Sequence, residues 1–175
     1  MASSNPSDGA SIARAIASIA EEAAAFSGAV AKVLPAMRPM DADRFTRQHD
    51  WLSRRIAAAS AAQDPLQALA DICVESWRLE RVTERILVRM NPIEAEPFYN
   101  QYRYFLFRLD DAFASVGMQA VGLTGQIYSI GMAVTALNAD EFDSDDNLRV
   151  SRMVDPIIML GGSVLRTGAV MLSPA

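Results

Sequence analysis

Few side chains in this chain are of a type and spacing that could do chemistry. His49 is its single histidine and Cys73 its single cysteine. His49 falls on the apolar side of a helical repeat, with Asp50 next to it but off that side, so it reads as a packed histidine. A typical zinc site would need a second histidine and a Ser-His-Asp relay a Gly-x-Ser-x-Gly elbow, and the sequence has neither. Cys73 lies among Leu69, Ala70 and Trp77 with no base at helical spacing to activate it, so it reads as buried filler. Asp143, Asp145 and Asn147 have the one-three-five spacing of a calcium loop. Leu148 stands where the sharp-turn Gly belongs and Val154 where the bidentate Glu belongs, so the run reads as a solvated acidic turn. Gly122-Leu-Thr-Gly125 lacks the strand, helix and Lys-Ser/Thr of a phosphate loop and reads as a β-turn. Arg78, Arg81, Arg85 and Arg89 form a ridge within three or four residues of Glu75, Glu80 and Glu84. That pattern is an ion-paired solvated face or, functionally, an anchor for an acidic protein. No metal, cofactor or catalytic set emerges, and a non-enzyme is expected.

Bulk properties narrow the classes further. At 175 residues, 51% hydrophobic, the chain can bury a core of its own. A net charge of -5 argues against nucleic acid or an anionic membrane as partner. Of its 16 basic residues only Lys32 is Lys, a bias that genome composition explains as well as any function does. One cysteine and no Cys-x-x-Cys fit a reducing cytoplasm. Residues 1–10 lack the charged and apolar regions of a signal peptide and read as a disordered tail, and no apolar run reaches membrane-span length.

The elements that must carry any site come in two kinds. Ile12, Ile16, Ile19, Ala23, Phe26, Val30 and Val33 step by four and three, the spacing of one helix face. Ser11, Ser7 or Asp8 could cap that helix, and Pro35 and Pro39 end it. A second helix starts near Asp41 and carries Phe45, His49, Leu52, Ile56 and Ala59. Asp64-Pro65 caps a third, with Leu69, Ile72, Ser76, Leu79, Thr83, Ile86 and Met90 on its seam. After Asn91-Pro92 a fourth carries Phe98, Tyr102, Phe105, Leu109, Ala112 and Val116, and Gly117 suits its C-cap. These seams can close into one antiparallel bundle or pair between two chains as a coiled coil.

Beyond Gly117 the pattern changes to strands. Met118–Gly122 reads as extended, Ile127–Leu137 as an apolar run broken by Gly131, and residues 138–147 as an acidic loop. Leu148 and Val150, with Arg152 in phase, alternate against Arg149 and Ser151. Ile157–Leu160 and Val164–Leu172 flank Gly161-Gly162, a hairpin signal. The expected fold is therefore α+β: a helical stalk or bundle over residues 11–116 and a small all-β module over 117–175.

The closing segment, Leu160-Gly-Gly-Ser-Val-Leu-Arg-Thr-Gly-Ala-Val170, resembles the last hairpin of the GrpE family, where a Gly turn leads into Val-Leu-Arg-Pro-Ala-x-Val. Leu109–Gly117 followed by Met-Gln-Ala-Val121 is similar to that family's last helix and first short strand. Gln126-Ile-Tyr128 with Ala133-Val134 is similar to its Phe-Asp-Pro…Ala-Val strand. Thr167 replaces the family Pro, Pro156-Ile157 replaces Gly-Tyr, and the His before Ala-Val is missing. The prolines at 35, 39 and 65 also interrupt what would be a long stalk.

The resemblance implies a homodimeric co-chaperone whose β module binds the ATPase domain of a DnaK-type chaperone, opens its cleft and releases ADP. An adaptor that keeps the fold without exchange is the alternative. Arg166, matching the family's Leu-Arg step, and the turn glycines Gly117 and Gly162 are its expected partner-binding residues. Strand alternation adds Arg149 and Arg152. Ile16, Ile19, Phe26, Leu79, Ile86, Phe98, Tyr102, Phe105 and Leu109 are the expected dimerisation or core seam.

Overall fold

The computed structural model describes residues 9–143 and 146–175. Residues 1–8 of the expected tail, the alternative caps Ser7 and Asp8, and Ser144 and Asp145 of the acidic loop lie outside the described residues. The chain is α+β, with four helices followed by a small β region, and divides into the compact units Met1–Gly117 and Met118–Ala175.

In the first unit, α1 spans Gly9–Val33 and runs into a 3-10 turn at Leu34–Ala36. Ser11 is no cap, because the helix starts two residues earlier. Its hydroxyl instead accepts a hydrogen bond from Arg14 Nη2 at 2.9 Å. Pro39 does not end α1 but opens α2, Pro39–Ala59. A residue without N–H and with fixed φ suits a first turn, and Arg38 before it is extended, as a residue preceding proline prefers. α3, Pro65–Leu87, has the expected cap, with the Gln67 amide donating to Asp64 Oδ1 at 3.0 Å. α4, Pro92–Ser115, is capped by Asn91, which accepts from the Ile93 amide at 3.0 Å. Pro97 lies inside α4, where it withholds one helical N–H.

The helices pack as antiparallel pairs. Along α1 and α4, Glu22 meets Arg108, Phe26 stacks on Phe105 with centroids 4.5 Å apart, and Ala29 and Val33 face Phe98. Along α2 and α3, Asp41 reaches Arg89 and Gln48 reaches Glu75. All nine expected seam residues, Ile16, Ile19, Phe26, Leu79, Ile86, Phe98, Tyr102, Phe105 and Leu109, are buried within this one chain. Of the two arrangements the spacing allowed, the chain adopts the bundle, and these side chains are spent on its core.

The second unit holds two three-stranded sheets. In one, β4 (Ile157–Leu160) lies between β1 (Met118–Val121) and β5 (Ser163–Arg166), all antiparallel. In the other, β6 (Gly168–Pro174) lies between β2 (Val134–Ala136), parallel to it, and β3 (Leu148–Asp155), antiparallel to it. The expected continuous strand from Val164 to Leu172 is divided at Thr167, and its halves join different sheets. The expected Ile127–Leu137 run is a strand only at its end. Gly131 takes φ 98°, and Ile130 is almost fully exposed. Met118, Leu148, Val150, Met153, Ile157, Ile158, Val170 and Leu172 are buried apolar side chains of this unit. Asn138 lengthens the β2 edge with its side chain: the Leu172 amide donates to Asn138 Oδ1 at 2.8 Å, and Asn138 Nδ2 donates to the Leu172 carbonyl.

Candidate functional site

The β module holds the residues expected to meet a partner. Gly161 and Gly162 occupy the two-residue turn between β4 and β5 with φ 57° and 85°, the left-handed pair that a type I′ hairpin demands. Gly117, at φ 72°, ends α4, its amide donating to the Ala114 carbonyl at 2.9 Å. Both glycines thus shape turns, as expected. Arg166 closes β5, opposite Ile158, and is half-buried.

Arg149 and Arg152 lie on β3, in the other sheet from Arg166. Period-two alternation would put Arg152 on the face of Leu148 and Val150, but the strand puts it on the opposite one. Between Val150 and Arg152 the register against β6 slips by one residue, so Ser151 is the extra residue of a β-bulge. Ser151 Oγ donates to the Met171 carbonyl at 3.0 Å beside the slip. Arg152 is turned out to the side of Arg149: opposite them stand Met171 and Ser173, two apart on β6 and hence on one face. Both arginines are exposed. The outer edge of β3 is not open there, because the Gly125 and Tyr128 amides donate to the carbonyls of Val150 and Leu148, and the Val150 amide donates to the Gln126 carbonyl.

The chemically capable side chains of the bundle are packed. His49 lies between the rings of Phe26 and Phe45, and burial lowers its pKa while Asp50, 3.9 Å away, partly opposes this. Burial pushes the Cys73 thiol up to about 12, with Asp110 adding to it, so the thiolate that reactivity requires is suppressed. Burial likewise holds the proton on Tyr102 well beyond the ordinary range. The nearby Thr83 hydroxyl opposes this in part, and among the described residues no hydrogen bond of good geometry reaches the Tyr102 oxygen. Among the described residues no group of three His, Cys, Asp or Glu side chains converges as metal ligands.

The arginine ridge of α3 is largely committed. Arg78 bridges to Glu75 at 2.9 Å, Arg81 to Glu84 at 3.6 Å with its guanidinium over Trp77, and Arg89 to Asp41 at 2.7 Å. Between α1 and α4 run two shallow clefts of about 300 and 330 Å³ that share Gln101. Beside them lies an exposed face of α4 that none of the expected sites includes. Ile93, Tyr104 and Phe107 are 82%, 60% and 64% exposed, far more than apolar residues of a well-packed helix need be. The signal that could have found them is their spacing of eleven and three residues, which puts them on one helix face displaced from the core seam.

No protein family, no curated protein and no solved structure matches this chain. Among the described residues, no helix is long and apolar enough to cross a membrane.

Proposed function

We propose that this protein is a GrpE-like exchange factor that binds the ATPase domain of a DnaK-type chaperone through its β module and promotes ADP release. The supporting observation is how the resembling segment folds. Its Gly161-Gly162 pair makes the tight turn, Val-Leu-Arg makes β5, and Ala169-Val170 lies in the central strand of the second sheet. Such a factor needs no catalytic group. It acts by binding the open cleft more tightly than the closed one, and shifts that equilibrium by the difference in affinity alone. The same reading has it working in the cytoplasm, where a lone unpaired cysteine is at home.

Stopped-flow release of a fluorescent ADP analogue from a DnaK-type chaperone tests this. Release accelerates with added protein, and Arg166→Ala weakens the effect while leaving the melting temperature unchanged. No acceleration at saturating protein overturns the exchange reading. Two observations favour the adaptor as a second reading: Thr167 stands at the family's Pro, and the N-terminal helices fold back into a bundle rather than extending as a stalk. Chaperone binding without faster ADP release selects it.

A further inference from the structure

α2 carries a second ordered face, opposite the one it packs. Met40, Arg44, Arg47, Trp51 and Arg54 follow one another at intervals of four, three, four and three residues, so they line one side of the helix. All five are exposed, Met40 at 65% and Trp51 at 49%, while Phe45, Leu52, Ile56 and Ala59 on the other side are buried. The Arg54 guanidinium lies over the Trp51 ring, 4.9 Å from its centre.

The arginines of this stripe, unlike Arg78, Arg81 and Arg89 on α3, have no acid of their own. Among the described residues Arg44, Arg47 and Arg54 form no ion pair. Asp43 and Asp50 stand four residues before Arg47 and Arg54, on one flank of the stripe, yet neither bridges to it. Arg54 Nε donates instead to the Asp50 carbonyl at 3.2 Å. Arg85 joins the patch from α3. The Asp41–Arg89 and Arg55–Asp71 bridges set the antiparallel alignment of α2 and α3. One turn in from the first of them, Arg44 and Arg85 come to adjoining exposed positions. Arg85 also forms no ion pair among the described residues, and its Nε donates to the Arg81 carbonyl at 2.9 Å. Arginines without a counter-ion thus surround an exposed tryptophan, on a chain whose net charge is -5.

We propose that this face of α2 docks an acidic segment of a partner protein, with carboxylates on Arg44, Arg47 and Arg54 and an apolar side chain against Trp51. A guanidinium fork holds a carboxylate through two parallel hydrogen bonds, and Arg and Trp are the side chains that most often anchor interfaces. The stripe dictates the spacing of the partner's acids: along the helix axis Arg47 lies about 4.5 Å beyond Arg44, and Arg54 about 15 Å beyond it. Trp51 falls between the last two. A continuous anionic surface fits worse. A nucleic-acid backbone or an anionic bilayer would press charge against Asp43 and Asp50 as well as against the arginines, whereas a peptide can be neutral there. This docking does not depend on the chaperone reading, in which the β module is the binding part.

Fluorescence anisotropy on the full chain tests the proposal. The probe is a fluorescein-labelled helical peptide with Glu at three positions of that spacing and Leu between the last two, and its control has Gln for Glu. The Glu peptide binds about tenfold or more tighter than the control, and raising the salt from about 0.05 to about 0.5 M weakens it. Arg47→Glu and Trp51→Ala each weaken binding about tenfold or more, with the far-UV circular dichroism unchanged. Arg103→Glu, the same change of charge at an exposed position of α4, leaves binding as it was. Equal binding of the two peptides overturns the proposal, as do equal losses from Arg47→Glu and Arg103→Glu. So does no binding of the Glu peptide, or a tighter hold on phosphatidylglycerol vesicles or single-stranded DNA than on it.

Discussion

Asp41 and Arg89 meet at 2.7 Å across 48 residues of chain, joining the first turn of α2 to the turn after α3. The Asp41 side chain is 7% exposed and that of Arg89 41%. The carboxylate is the buried partner, so it is the one that suffers when the pair is broken. Arg89→Ala should destabilise the bundle by about 1–3 kcal/mol, the cost of leaving a buried acceptor unsatisfied, as measured by urea unfolding. Asp41→Ala should cost less, because the exposed guanidinium returns to water. Equal losses would mean that the pair acts through charge alone.

Glu80 gives a pH-dependent prediction. Burial, then the neighbouring carboxylates Glu84 and Asp110, raise its pKa, and Arg81 only partly offsets them. An acid whose pKa is raised by folding costs stability where it is ionised. The cost is full above the folded pKa, relieved as pH falls through it, and gone below the unfolded value near 4.5. Glu80→Gln should therefore raise the melting temperature at pH 7 and have no such benefit at pH 4. A gain of equal size at both pH values would assign the effect to packing.

Cys73 should be nearly inert in the folded chain. With its thiol pushed up to about 12 and its side chain buried, iodoacetamide at pH 8 should label it slowly in buffer and quickly in denaturant. Mass spectrometry over a time course reads both rates. Labelling as fast in buffer as in denaturant would show that α3 opens locally.

Gly168 is fixed by contact rather than by turn geometry. A Cβ there would stand 2.9 Å from the Asp155 carbonyl oxygen, 3.1 Å from the Met153 methyl and 3.2 Å from Ile157. The carbonyl cannot move aside without disturbing β3. Gly168→Ala should destabilise the β module by about 1–3 kcal/mol, the usual cost of overpacking. Hydrogen exchange should show the loss at β3 and β6, with the helices of the bundle keeping their protection.

The helices were legible because two local signals agree in them. Apolar residues recur by threes and fours, and Asp64-Pro65 and Asn91-Pro92 cap as their chemistry dictates. The β module was legible only where its geometry is local, as at Gly161-Gly162. Arg152 was placed on the wrong face because a bulge depends on the partner strand and leaves period-two alternation looking unbroken. The division at Thr167 was hidden for the same kind of reason: Val164–Leu172 is apolar on both sides of it, and only the neighbours of each half reveal the change of sheet. Among candidate site residues, Gly117 and Gly162 could be read from backbone demand. The buried acid Asp41 could not, since its partner lies 48 residues away.

The central place of β6 sets an order of events during synthesis. Among the described strands, β2 and β3 pair only with β6, the last of them to be made, although residues 125–128 bond the other edge of β3. β2 must wait from Val134 until Gly168 exists before it can pair. On the ribosome, the bundle can close and the β4–β5 hairpin can form while β2 and the inner edge of β3 still lack the strand they pair with. A chain halted before Gly168 would expose those edges and lack the strand that covers them, which makes such fragments natural prey for aggregation or for a chaperone.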